Sequence, residues 1–265
     1  MNYKPIVHSI RNAIMLLLLG IGSLSAQSVV DYTTTFSTTG SLVDMTGSTD
    51  IFATGTYRDD VASSVITFPS NFGFIYMGTR YTQFSINSNG QFRFGSTVIA
   101  GGSASPGASI ALLAPMGGDN AIQATGKAHF LLSGTAPNRT FTVEWNDLRI
   151  PFSSTAATGS VIQLVLSESN GSFEYRYGAV FNNSTSITRP IFMSNGAASA
   201  TTSKYINLTG PAESNTGTAV NNSFADNAAI AGLNSATDGS RTVFLLLRQH
   251  LVQIPQLHLA SHSQR

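Results

Sequence analysis

The sequence predicts an all-β protein built as a single large antiparallel β-sandwich of jelly-roll type, preceded by a cleaved signal peptide. Three observations carry this. Between Val29 and Leu247 no long stretch has helical period, and short alternating runs recur between Gly, Asn, Pro and Ser clusters. Only 10% of the 265 residues are charged while 42% are hydrophobic, well below the usual quarter of charged residues. Ser, Thr, Asn and Gly replace the missing charge, a mixture suited to strands and turns. The body of about 220 residues is within the size that single all-β domains reach.

The elements follow in order. Lys4 and Arg11 precede the apolar run Ala13–Ile21, and the small residues Gly22, Ser23, Ser25 and Ala26 come after it. This is the order of a secretory leader, and the run is shorter than the roughly 20 residues of a membrane span. The expected divisions are residues 1–26 as signal peptide, 27–245 as the sandwich and 246–265 as a tail. Strands are expected at Tyr32–Phe36, Val65–Phe68, Tyr81–Ile86, Gln91–Phe94, Ile110–Leu113 and Ala128–Leu132. Others are expected at Thr140–Asn146, Val161–Glu168, Ser172–Tyr177, Ile191–Ser194, Lys204–Leu208 and Arg241–Leu247. Ala212–Gly239 reads as irregular, with one short helix over Ala225–Leu233.

Two hairpins can be argued to the register. Asn170-Gly171 suits a two-residue type I′ turn, which pairs Glu168 with Phe173, Leu166 with Tyr175 and Leu164 with Tyr177. At Ser88-Asn89-Gly90 a two-residue turn would set Phe92 against Asn87. A three-residue loop instead pairs Ile86 with Phe92 and Phe84 with Phe94, with Gly90 left-handed.

Function classes are then narrowed. Without Cys, a disulfide scaffold, a thiolate zinc site and a cysteine nucleophile are excluded. The formal net charge of +1 gives no footprint for nucleic acid, and it turns slightly negative once Lys4 and Arg11 leave with the leader. No transmembrane segment is expected after that cleavage. The tail holds His250, His258 and His262, but Pro255 precedes the last two and no carboxylate is near. It reads as disordered, or as out-of-frame or truncated sequence.

Catalytic patterns are sparse. The four Glu of the chain form no facing pair of the kind a glycosidase needs. His129 is the single His of the body, and it reads as a strand residue turned to solvent, with no G-x-S-x-G elbow. No catalytic or cofactor-binding residue is assigned. The calcium candidates are Asp59, Asp60 and Asp119, the last beside Asn120. Trp145 aligns with Phe141 and Val143 and reads as core, and Tyr57 and Tyr81 are open to a glycan role.

The run Phe72-Gly73-Phe74-Ile75-Tyr76-Met77-Gly78-Thr79-Arg80-Tyr81-Thr82 precedes Ile86-Asn87-Ser88-Asn89-Gly90-Gln91-Phe92-Arg93-Phe94-Gly95. Together they resemble the motif F-x-F-x-Y-x-G-x-x-Y-T … S-N-G-x-F-x-F-G of secreted Bacteroidetes-type β-sandwich surface domains, to which the nidogen-like extracellular domain is similar. Phe141–Asn146, with Trp145, resembles a further strand of that pattern. A Trp expected after Ala114-Pro115 is missing, and of an acidic cluster there only Asp119 remains. The resemblance implies an extracellular or outer-surface module of adhesion type, the N-terminal part of a larger surface protein, with no catalytic residues to carry over. Its partner would be an extracellular protein or glycan surface. A lectin-like carbohydrate-binding sandwich is the alternative, and a glycan hydrolase ranks third.

Overall fold

The computed structural model describes residues 28–35, 41–107, 111–153, 159–178, 180, 187–196, 199, 201–207, 212–214, 221–224 and 248–249. The expected leader, the helix at Ala225–Leu233, the strand Arg241–Leu247 and most of the tail lie outside them.

Two antiparallel sheets pack face to face. The front sheet runs, in spatial order, Phe173–Tyr177, Ser160–Ser167, Thr140–Arg149, Ala121–Ser133 and Thr49–Phe52, and Arg58–Asp59 also pairs with Ala121–Ser133. The back sheet runs Ala212–Ser214, Ser203–Asn207, Phe192–Ser194, Leu112–Ala114, Phe92–Phe94, Gln83–Ile86 and Ile66–Thr67. Three strand pairs complete the described part: Phe74–Tyr76 with Thr79–Tyr81, Ile187–Pro190 with Asn221–Phe224, and Tyr32–Thr33 with Arg248–Gln249. Strands Ala212–Ser214 and Asn221–Phe224 correct the expectation of irregular chain there. Their sequences carry little apolar alternation, and neighbouring strands recruit them through the backbone.

Between the sheets lies an aromatic core. The Phe141 ring sits 4.8 Å from Phe68, 5.2 Å from Phe84 and 5.3 Å from Phe130. Phe84, Ile86, Phe92 and Phe94 share the inner face of the back sheet and are buried, each stabilising the fold by about 2 kcal/mol or more through loss of apolar surface from water. Buried tyrosines cross the core and end on carbonyls of the opposite layer. The Tyr175 hydroxyl donates to Phe192 O at 2.8 Å and the Tyr177 hydroxyl to Pro115 O at 2.6 Å, as a buried phenol requires. Burial holds both phenols well above the usual tyrosine range.

The three hairpin turns separate cleanly. Ile86 pairs with Phe92 and Phe84 with Phe94, and Gly90 has φ of 89°, so the three-residue loop holds. The Asn170-Gly171 hairpin does not follow expectation. Leu166 pairs with Phe173, Leu164 with Tyr175 and Ile162 with Tyr177, a shift of two that keeps the faces but lengthens the loop to Glu168–Gly171. Only Gly171 is left-handed, at φ 65°, so this is no type I′ turn. Glu168 is taken by another strand: its N–H donates to Arg139 O at 2.9 Å and its carboxylate accepts from Arg139 Nε at 2.6 Å. Asn170 Oδ1 meanwhile accepts from the Ser172 N–H and hydroxyl at 3.0 and 2.7 Å, an Asx turn. Two left-handed central residues occur instead at Met77-Gly78, φ 48° and 76°, between the paired Tyr76 and Thr79, as a two-residue hairpin turn of type I′ demands.

Candidate functional site

Asp59, Asp60 and Asp119 meet at one end of the front sheet, each offering an oxygen within 4.8 Å of the others. Strand pairing brings them together, because Asp59 stands opposite Ala121 and Asp119 lies two residues before it in the chain. The chain at Asp60 is left-handed, φ 55°, and a Cβ on Gly101 would stand 2.2 Å from Asp60 O. Only glycine allows that approach. Oδ1 of Asp59 and Oδ1 of Asp119 are shut off from solvent and accept no hydrogen bond among the described residues. Burial first, then the neighbouring carboxylates, raise the pKa of Asp59 and of Asp119, against the lowering influence of Arg149 on the first and Arg189 on the second. Calcium takes oxygen ligands at about 2.3–2.6 Å, so oxygens across its shell stand about 5 Å apart. The three carboxylates fit that spacing, and the two unpartnered oxygens are the atoms a cation would satisfy.

Beside the cluster is an aromatic rim. Tyr57 and Phe152 are 40% and 37% exposed. The Tyr57 hydroxyl donates to Phe152 O at 3.1 Å, and the Arg149 guanidinium sits 5.4 Å from the Tyr57 ring. Tyr81, the other exposed-aromatic candidate, is half-buried and stacks on Phe94 at 5.2 Å.

The motif residues build architecture. Phe72, Phe74, Tyr76, Phe92 and Phe94 lie in the core, Tyr81 stacks on it, and Gly78, Gly90 and Gly95 occupy left-handed positions. Asn87, Ser88, Asn89 and Gln91 are buried without exposure. Asn89 Nδ2 donates to Asp60 Oδ1 at 3.0 Å and its Oδ1 accepts from Asn120 N at 2.7 Å. Trp145 is fully buried, as expected, and its Nε1 donates to Asn87 O at 2.9 Å. The turn is thus a polar plug that ties the acidic end to the core. Asn170 and Gly171 sit apart from it in their own loop.

His129 overturns its expectation. It is 3% exposed, because residues 41–48 run as a strap over the outer face of the front sheet. Its Nδ1 lies 2.5 Å from Ser48 Oγ and its Nε2 2.8 Å from Glu144 Oε1. Glu144 does point away from Phe141, Val143 and Trp145, yet it too is buried, at 6% exposure. Gln163 Nε2 donates to Glu144 Oε2 at 2.6 Å and to Val43 O at 2.9 Å, while Gln163 Oε1 accepts from Val43 N at 2.8 Å. The strap has no apolar period, so only the polar residues beneath it could have hinted at cover.

Fold and site together define an antiparallel β-sandwich module whose signature residues are structural. A family model described as NIDO related matches residues 31–243, and the chain belongs to that family of extracellular modules. No curated protein and no solved structure matches the chain. No helix among the described residues is long and apolar enough to cross a membrane.

Proposed function

We propose that the chain is a secreted adhesion or structural module of Bacteroidetes-type surface proteins, acting at the outer surface as the N-terminal part of a larger protein. The observation that carries this reading is the NIDO-related match across the sandwich, joined to a motif whose aromatic residues Phe72, Phe74, Tyr76, Phe92 and Phe94 are buried. Calcium, held by Asp59, Asp60 and Asp119, ties the loop end together, and an extracellular protein or glycan is the partner. The exposed Tyr57 and Phe152 beside those carboxylates favour a lectin-like second reading. Purified chain would be applied to arrays of glycans and of extracellular matrix proteins, with calcium and with chelator. Saturable, calcium-dependent binding to a protein supports the adhesion reading, and binding confined to glycans moves the conclusion to the lectin. Silence on both arrays removes attachment as its role.

A further inference from the structure

The hydrogen bonds that hold the strap also place three side chains in a chemically suggestive row. Ser48, His129 and Glu144 stand in the order nucleophile, base and orienting acid, at 2.5 and 2.8 Å. Glu144 accepts from His129 Nε2 and from Gln163, so the imidazole carries its proton on Nε2 and turns the Nδ1 lone pair to the Ser48 hydroxyl. Gln163 is fixed by both backbone groups of Val43, which keeps the acid in place. Burial is graded along the three residues. Glu144 and His129 are enclosed, Ser48 is half-buried, and Gly47 and Thr49 on either side of it are exposed. Gly47 is left-handed at φ 80°, with nothing within 4 Å of where a Cβ would stand. Its N–H finds no acceptor among the described residues. Lys127 shares the strand face of His129 and holds Asp50 at 3.2 Å on the same rim.

We propose that Ser48 is an activated nucleophile for acyl transfer from small esters, with His129 as its base and Glu144 as a positioning residue. Ser48 Oγ bonds to the ester carbonyl carbon as its proton passes to His129 Nδ1. The carbon–alkoxy bond breaks, and the leaving alcohol takes that proton from His129. Water then attacks the acyl-Ser48 ester, giving its proton to His129 and releasing the acid, and Oγ recovers its hydrogen.

The test treats the intact chain with a fluorophosphonate probe and with 4-nitrophenyl acetate. One adduct per chain is expected, mapped to Ser48, with ester cleavage about a hundredfold or more above that of Ser48→Ala, the scale of positioned base catalysis. Ser48→Ala deletes one half-buried hydroxyl, so its thermal unfolding serves as the folding control. Glu144→Gln should displace the pH profile of labelling while leaving the adduct on Ser48. Failure of the probe to label, adducts spread over other hydroxyls, or equal cleavage by Ser48→Ala would each overturn the proposal.

Discussion

Along the strand Thr140–Arg149, Phe141, Val143 and Trp145 point into the aromatic core, whereas Thr142 and Glu144 point into a polar layer closed by the strap 41–48. Both faces are dry: Phe141 has no exposure, Thr142 has 1% and Glu144 has 6%. The inner face is held by contact area, which is tolerant of direction. The outer face is held by hydrogen bonds among Ser48, His129, Glu144 and Gln163, which demand that every donor find its acceptor. Alternation along a strand therefore sorts side chains by face and leaves open which face is wet.

The largest effect should come from the inner face. Phe141→Ala removes a ring that touches four other phenylalanines and should cost about 3–5 kcal/mol. Urea unfolding followed by fluorescence of Trp145, the single Trp, measures it. Glu144→Ala should cost less, about 1–3 kcal/mol, by leaving the buried donors of His129 and Gln163 unpaired. It should also speed amide exchange within 41–48. A neutral Glu144→Ala would show that water reaches the outer face and that the two faces differ in wetness after all.

Smaller effects test the two acidic sites. At Asp59 and Asp119 the folded pKa lies above the unfolded one, so the native state binds more protons between those values and stability falls as pH rises through that window. Asp119→Asn should raise the melting temperature by a few degrees in chelator at neutral pH. Calcium should raise that of the parent chain and leave the variant unmoved. At Glu168 the sign reverses. Its hydrogen bond from Arg139 lowers the carboxyl, so the stabilisation is complete above the ordinary carboxylate range and is lost as pH falls through the lowered value. Acid titration of Glu168→Gln should be flatter there than that of the parent chain, with the smallest change of the four.

What could be read from the sequence follows the same division. The Ser88–Gly90 register was legible because Phe84, Ile86, Phe92 and Phe94 leave only one pairing that buries all four. The Asn170-Gly171 hairpin gave the right face and the wrong partner, because Arg139, 29 residues away, claims Glu168. Asp59, Asp60 and Asp119 were legible as candidates, but their meeting depends on the pairing of Asp59 with Ala121, which involves two residues with no pattern between them. His129 was misread since the cover over it, residues 41–48, carries no periodic signal and is held by side chains of other strands.

Gln163 grips the strap through the N–H and the C=O of Val43, acting as the neighbouring strand the outer face lacks. Both bonds that Gln163 makes to the strap go to backbone, so they do not read which residue they hold. The strap's position is thus set from below while its own exposed side chains, Asp44 and Thr46 among them, stay free of that duty. The outer face can be fixed in place and still be rewritten, one residue at a time, without moving.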